Sequence, residues 1–167
     1  MNIDIRSNLR TEIEMTRHKF HRLLVNIPEA ALKLLSKDPS WSNDEVLYRM
    51  SVASLIIPHI LKNNAAENPS LSSIPQTVKW PVIHQTMEVF VRSRAANSNH
   101  WSIAWQYDQT CALVLEVLDG ISDNSFDQLL QISDSVPLLP GLVTVEQLFH
   151  YSKHHFDTYS QQLNLDQ

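Results

Sequence analysis

Apolar residues recur in steps of three and four from Ser7 to Ile27, at Leu9, Ile13, Phe20, Leu23, Leu24 and Ile27, with Thr16 in phase. That spacing puts them on one face of an amphipathic helix. Pro28 ends the helix and can open a shorter helical piece from Glu29 to Leu35, before a break at Pro39-Ser40-Trp41. Ser42-Asn43-Asp44-Glu45 has the form of a capping box, and a stripe of Val46, Met50, Ala53, Ile57 and Ile60 behind it predicts a second helix. Pro58 is expected to kink that helix. The prolines and serines between Asn63 and Lys79 predict a long surface loop. Trp80-Pro81 then starts a segment running to about Arg94, and Asn97 to Asn99 punctuates the chain. Ile103 to Leu118 reads as a core helix with Tyr107, Cys111, Val114 and Leu118 in register, and Gly120 stands where a C-terminal cap favours positive φ. Ser122-Asp123 predicts a short helix to Ile132, followed by a second loop from Ser133 to Gly141. Thr144-Val145-Glu146-Gln147 forms another capping box, opening a last helix to about Leu163. No stretch reads as a strand, and there is no internal repeat.

The expected fold is therefore all-α. It has four long helices starting near Ser7, Ser42, Asn97 and Thr144, long crossover connections and short extra helices, in one domain over residues 1–167. Composition narrows the chemistry. Two glycines in 167 residues cannot build a phosphate-cradling loop. A single cysteine, Cys111, excludes an internal disulfide and a cysteine zinc cluster. The net charge is −5 and the 13 Lys and Arg are scattered, which argues against a nucleic-acid partner. The apolar stretch from Ala53 to Leu61 is interrupted by Ser54, Pro58 and His59. It falls short of the roughly 20 residues that span a bilayer. Without a signal-like N-terminus, a cytoplasmic location is the expectation, and the lone thiol fits it.

Three stretches carry a family resemblance. Trp41-Ser42-Asn43-Asp44-Glu45-Val46-Leu47 is similar to the Trp-Ser-x-x-Glu opening of the second helix in the DinB-like four-helix bundles. Glu116 to Asp123 is similar to the end of their third helix, and Gly141 to Leu163 to their last helix. Many members hold a divalent metal on three histidines, one on the second helix and two, four apart, on the last. The resemblance carries those positions to Arg49, His155 and Tyr159, so one imidazole of three is present. Arg offers no lone pair, and a neutral Tyr is a poor ligand for zinc or nickel. No cofactor is expected; if one is bound, it is a divalent zinc or nickel ion at His155. The resemblance also implies a homodimer and, from metal-dependent thiol transferases in the family, an enzymatic alternative.

The remaining candidates are weighed by helical phase. His150 and His154 share a helix face at metal-chelating spacing. They point away from the apolar set of Val145, Leu148, Phe149, Phe156, Tyr159 and Leu163, which predicts solvated histidines. His155 falls on the flank of that stripe. Arg49 flanks the buried stripe of the second helix, where its planar fork suits a carboxylate such as Asp108 or an anionic ligand. Cys111 on an apolar stripe reads as an inert buried thiol. Trp101 and Trp105, four apart, could line a pocket, but an aromatic pair at helical spacing is more often core; His18 and His21 read as a polar face. Two functions follow: a ligand-binding or non-catalytic protein taking a small molecule in the inter-helix cleft, or a metal- or thiol-dependent transferase in that cleft.

Overall fold

The structure is a computed structural model that describes residues 4–65, 71, 84–134, 136–139 and 141–165. Its helices are α1 (Ile5–Asn26), α2 (Asn43–Ala53), α3 (Ile56–Asn64), α4 (His84–Ala95), α5 (His100–Gly120), α6 (Val145–Phe149) and α7 (Tyr151–Tyr159). Single 3-10 turns lie at Glu29–Ala31, Asp123–Ser125 and Ser160–Gln162. Two short strands, β1 (Leu129–Gln131) and β2 (Leu142–Thr144), pair antiparallel with Leu130 opposite Val143. The all-α class read from the periodicity is the class observed.

Four helices close a ring: α1 packs on α5, α5 on α2, α2 on α7 and α7 back on α1. Their inward faces are the predicted stripes. Leu9, Ile13, Thr16, Phe20 and Leu24 of α1 are buried, as are Ile103, Tyr107, Cys111, Val114 and Leu118 of α5. Phe20 and Tyr107 stack at 3.9 Å between centroids with planes 8° apart, which locks α1 to α5 at mid-bundle. Helix α4 packs outside the ring, against α2. At the bundle's end, Arg6 from the first turn of α1 donates to the carbonyls of Leu118, Asp119 and Ile121 and to the carboxylate of Asp123. It thereby caps the last turn of α5.

The capping boxes form where the sequence placed them. The Ser42 N–H donates to the Glu45 carboxylate at 2.9 Å, and the Gln147 N–H to the Thr144 hydroxyl at 3.1 Å. Other expectations are corrected. The second helix is interrupted at Ser54–Leu55 rather than kinked at Pro58, which lies in the first turn of α3. The pyrrolidine ring clashes with the carbonyl four residues earlier, at Ser54, so the defect falls one turn ahead of the proline. The last helix is likewise divided at His150 into α6 and α7 and ends in a 3-10 turn. The region after Ser122 holds one 3-10 turn and then β1 instead of a helix to Ile132, and β2 ends at Thr144 where the last helix begins. Within the predicted helical piece from Glu29 to Leu35, only Glu29–Ala31 is helical, as a single 3-10 turn. Gly120 closes α5 without a positive φ, and extended Ile121 is the cap. Asn63 and Asn64, read as loop, belong to α3. The start at Trp80-Pro81 and most of the predicted loop before it lie outside the described residues.

Candidate functional site

Helices α2 and α7 are neighbours in the ring and bring Arg49 to His155 and Tyr159. The Arg49 guanidinium carbon lies 4.4 Å from the centroid of the Tyr159 ring and 5.4 Å from that of Trp41, which precedes α2. His155 stacks on Tyr159 at 4.2 Å with planes 23° apart, one turn earlier on the same helix face. Tyr151, another turn back, tilts against His155 at 5.5 Å. The result is a column of rings with a cation on top of it. Among the described residues, the Arg49 guanidinium has no hydrogen-bond acceptor and no ion-pair partner; ring faces hold it instead. The other Trp41 neighbour, Arg92, stacks at 4.4 Å but is also engaged by Glu45, Glu88 and the Ser40 carbonyl.

His155 is buried, 3% exposed, where the sequence had placed it on a flank. Burial, with the charge of Arg49 and then His154 beside it, pushes its imidazole down from 6.5 to about 3. It is therefore neutral at physiological pH. Burial also raises the Tyr151 phenol well above its usual range. Both shifts follow from the burial of the ring column, with the Arg49 cation at its border.

The donor set does not fit a divalent metal. His155 supplies one nitrogen lone pair, Arg49 supplies none, and the guanidinium's positive charge opposes a second cation at that spot. Among the described residues, no group of three or more His, Cys, Asp or Glu is arranged to hold a metal ion.

The secondary candidates lie elsewhere. Asp108 is not the partner of Arg49. It sits on α5 and takes Arg17 Nε at 2.6 Å and His21 Nε2 at 2.7 Å, both from α1. Burial alone would raise its carboxyl; the hydrogen bonds from Arg17 and His21 outweigh that and hold it below the usual range. His150 and His154 are exposed, and His150 Nδ1 contacts Glu12 at 2.7 Å. Cys111 is buried, and burial pushes its thiol up to about 12, so it is no nucleophile at neutral pH. Trp101 and Trp105, expected in the core, are 74% and 51% exposed. Sequence reasoning missed Trp41 and Tyr151 as partners of the column. Trp41 stood in the motif but read only as a break, whereas Tyr151 follows from the four-residue step that links it to His155 and Tyr159.

No protein-family model matches the sequence, and no curated protein does. Solved structures do. The chain is similar to a histidine-to-alanine mutant of the mycothiol-dependent maleylpyruvate isomerase, with a TM-score of 0.68 at 7% identity, over 96% of this chain and 61% of that one. The fold is DinB-like. It is also similar to an uncharacterized protein from Clostridium difficile 630, with a TM-score of 0.65 at 14% identity, over 94% and 92% of the two chains. At these identities the likeness is one of fold, and the chain spans less than two thirds of the isomerase. Among its described residues, no helix is long and apolar enough to cross a membrane.

Proposed function

We propose that this chain is a DinB-like bundle protein whose metal position has been lost, and that it acts as a ligand-binding, non-catalytic protein. The observation that carries the reading is Arg49, a half-buried guanidinium held on the faces of Tyr159 and Trp41 with no acceptor among the described residues. A cation so placed supplies the positive charge that a metal would otherwise bring, and its free fork receives the carboxylate or phosphate of a small ligand entering between α2 and α7. His155, neutral and buried beneath Tyr159, packs the floor. A homodimer belongs to the same reading, and light scattering in solution tests it.

The competing reading is a metal- or thiol-dependent transferase, and its support is the thiol dependence named for the isomerase of similar fold. Equilibrium dialysis against nickel and zinc, with the metal quantified afterwards, separates the two. The expected result is well below one equivalent of either metal on the unmodified protein, unchanged in His155→Ala. The double variant Arg49→His with Tyr159→His, which assembles three imidazoles, is expected to gain nickel. Near-stoichiometric metal on the unmodified protein that His155→Ala abolishes would overturn the reading.

A further inference from the structure

A cavity of about 510 Å³ opens where the last turns of α1 meet the first turns of α5, away from Arg49. Leu24, Ile27 and Ala104 line its apolar side; His21, Glu29, His100 and Trp101 complete it. We propose that this cavity binds an organic ammonium ion, an amine carried on a small apolar body.

The polar lining is made for a donor. His21 Nε2 lies 2.7 Å from the Asp108 carboxylate, and His100 Nε2 lies 2.8 Å from the Ile27 carbonyl. Carboxylate and carbonyl oxygens only accept, so both rings carry their hydrogen on Nε2, and in the neutral form Nδ1 is left as an acceptor. Glu29 adds a carboxylate. No Lys or Arg lines the cavity, and Arg17, which shares Asp108 with His21, is engaged by that carboxylate. Three acceptors and no fixed cation describe a site for a positively charged donor.

Trp101 supplies the second argument. Its indole is 74% exposed, beside Val25 at 85% on the facing helix, and Trp105 continues the strip one turn on at 51%. An indole face beside acceptors is the surface on which an ammonium ion is held by the ring's negative face. Among the described residues, His21, His100 and Glu29 do not form a group that could hold a bare metal ion; spread along the lining, they suit a larger organic cation. The volume falls in the range of small-molecule pockets.

The test is isothermal titration of the full chain at about pH 8.5, above the ordinary histidine range, with three probes of one shape. These are phenethylammonium, the uncharged phenethyl alcohol and the anionic hydrocinnamate. Phenethylammonium is expected to bind saturably and about tenfold more tightly than the alcohol, with no heat from hydrocinnamate. Glu29→Gln and Trp101→Ala, both at exposed positions, each weaken it by about tenfold, Trp101→Phe restores most of the affinity, and Arg49→Met leaves it unchanged. That last variant separates this cavity from the Arg49 site. Equal binding of all three probes, preference for the anion, absence of saturable binding, or unchanged affinity in Glu29→Gln and Trp101→Ala would overturn the proposal. So would a dimer, seen by light scattering, in which acrylamide no longer quenches Trp101.

Discussion

Protonating His155 is the most direct perturbation of the column on α7. Its imidazole is 3% exposed, and burial, reinforced by Arg49 and His154, lowers it from 6.5 to about 3. In the unfolded chain the same ring takes a proton below about pH 6.5. Between those two values the unfolded state binds more protons than the folded one, so stability rises with pH across that window. The contribution is complete above about pH 6.5 and is lost as pH falls toward 3. At about 1.36 kcal/mol per pH unit, going from pH 7 to pH 5 removes about 2 kcal/mol. Urea unfolding followed by circular dichroism at both pH values, on the unmodified protein and on His155→Phe, measures it. The unmodified protein is expected to lose about 2 kcal/mol more than the variant on acidification. His59, also lowered by burial, and Asp108 titrate in both proteins and cancel in the difference. Identical losses in the two proteins would refute the claim that His155 is held neutral by its surroundings.

Arg49→Met is expected to change stability by less than about 1 kcal/mol, because methionine keeps contact with the rings of Trp41 and Tyr159 and the cation–π term is small at a partly exposed site; urea midpoints at pH 7 check it. Cys111, buried and raised to about 12, is expected to resist a thiol-specific reagent in the folded protein at about pH 8 and to react fully in urea, read by absorbance or mass. Phe20→Ala removes one ring of the stack with Tyr107 from a fully buried site and is expected to cost about 3–5 kcal/mol, measured by chemical denaturation.

The bundle was legible because each long helix carries enough turns for its buried face to repeat: Leu9, Ile13, Phe20 and Leu24 announce α1 without help from any other part of the chain. A three-residue strand has no such room. Only Leu130 of β1 and Val143 of β2 are buried, so no alternation is there to read. Trp101 and Trp105 misled because a four-residue spacing places two side chains on one face without saying which face; they lie out of phase with Tyr107 and Cys111, and that phase puts them in solvent. Arg49 suits Asp108 by charge, yet the partners of Asp108 lie on α1, 91 and 87 residues away in sequence, a pairing that no local spacing encodes. The positions of Arg49, His155 and Tyr159 could be named from the motif, but not the way they meet. A guanidinium held by aromatic faces leaves no trace in spacing, because ring faces, unlike carboxylates, do not advertise a partner.

Arg6 ties the order of synthesis to the completion of the fold. The carbonyls of Leu118, Asp119 and Ile121 are made more than a hundred residues after the guanidinium that receives them, and Arg6 also takes the Asp123 carboxylate. During translation α5 therefore leaves the ribosome with a partner for its final turn already waiting, while the first turn of α1 stays without its anchor until that moment. The two turns form one cooperative unit: neither frays without releasing the other. Hydrogen exchange at Ile121 accordingly reports on the docking of residues at the far end of the chain. The first helix acts as a latch that closes only on a finished third side of the ring.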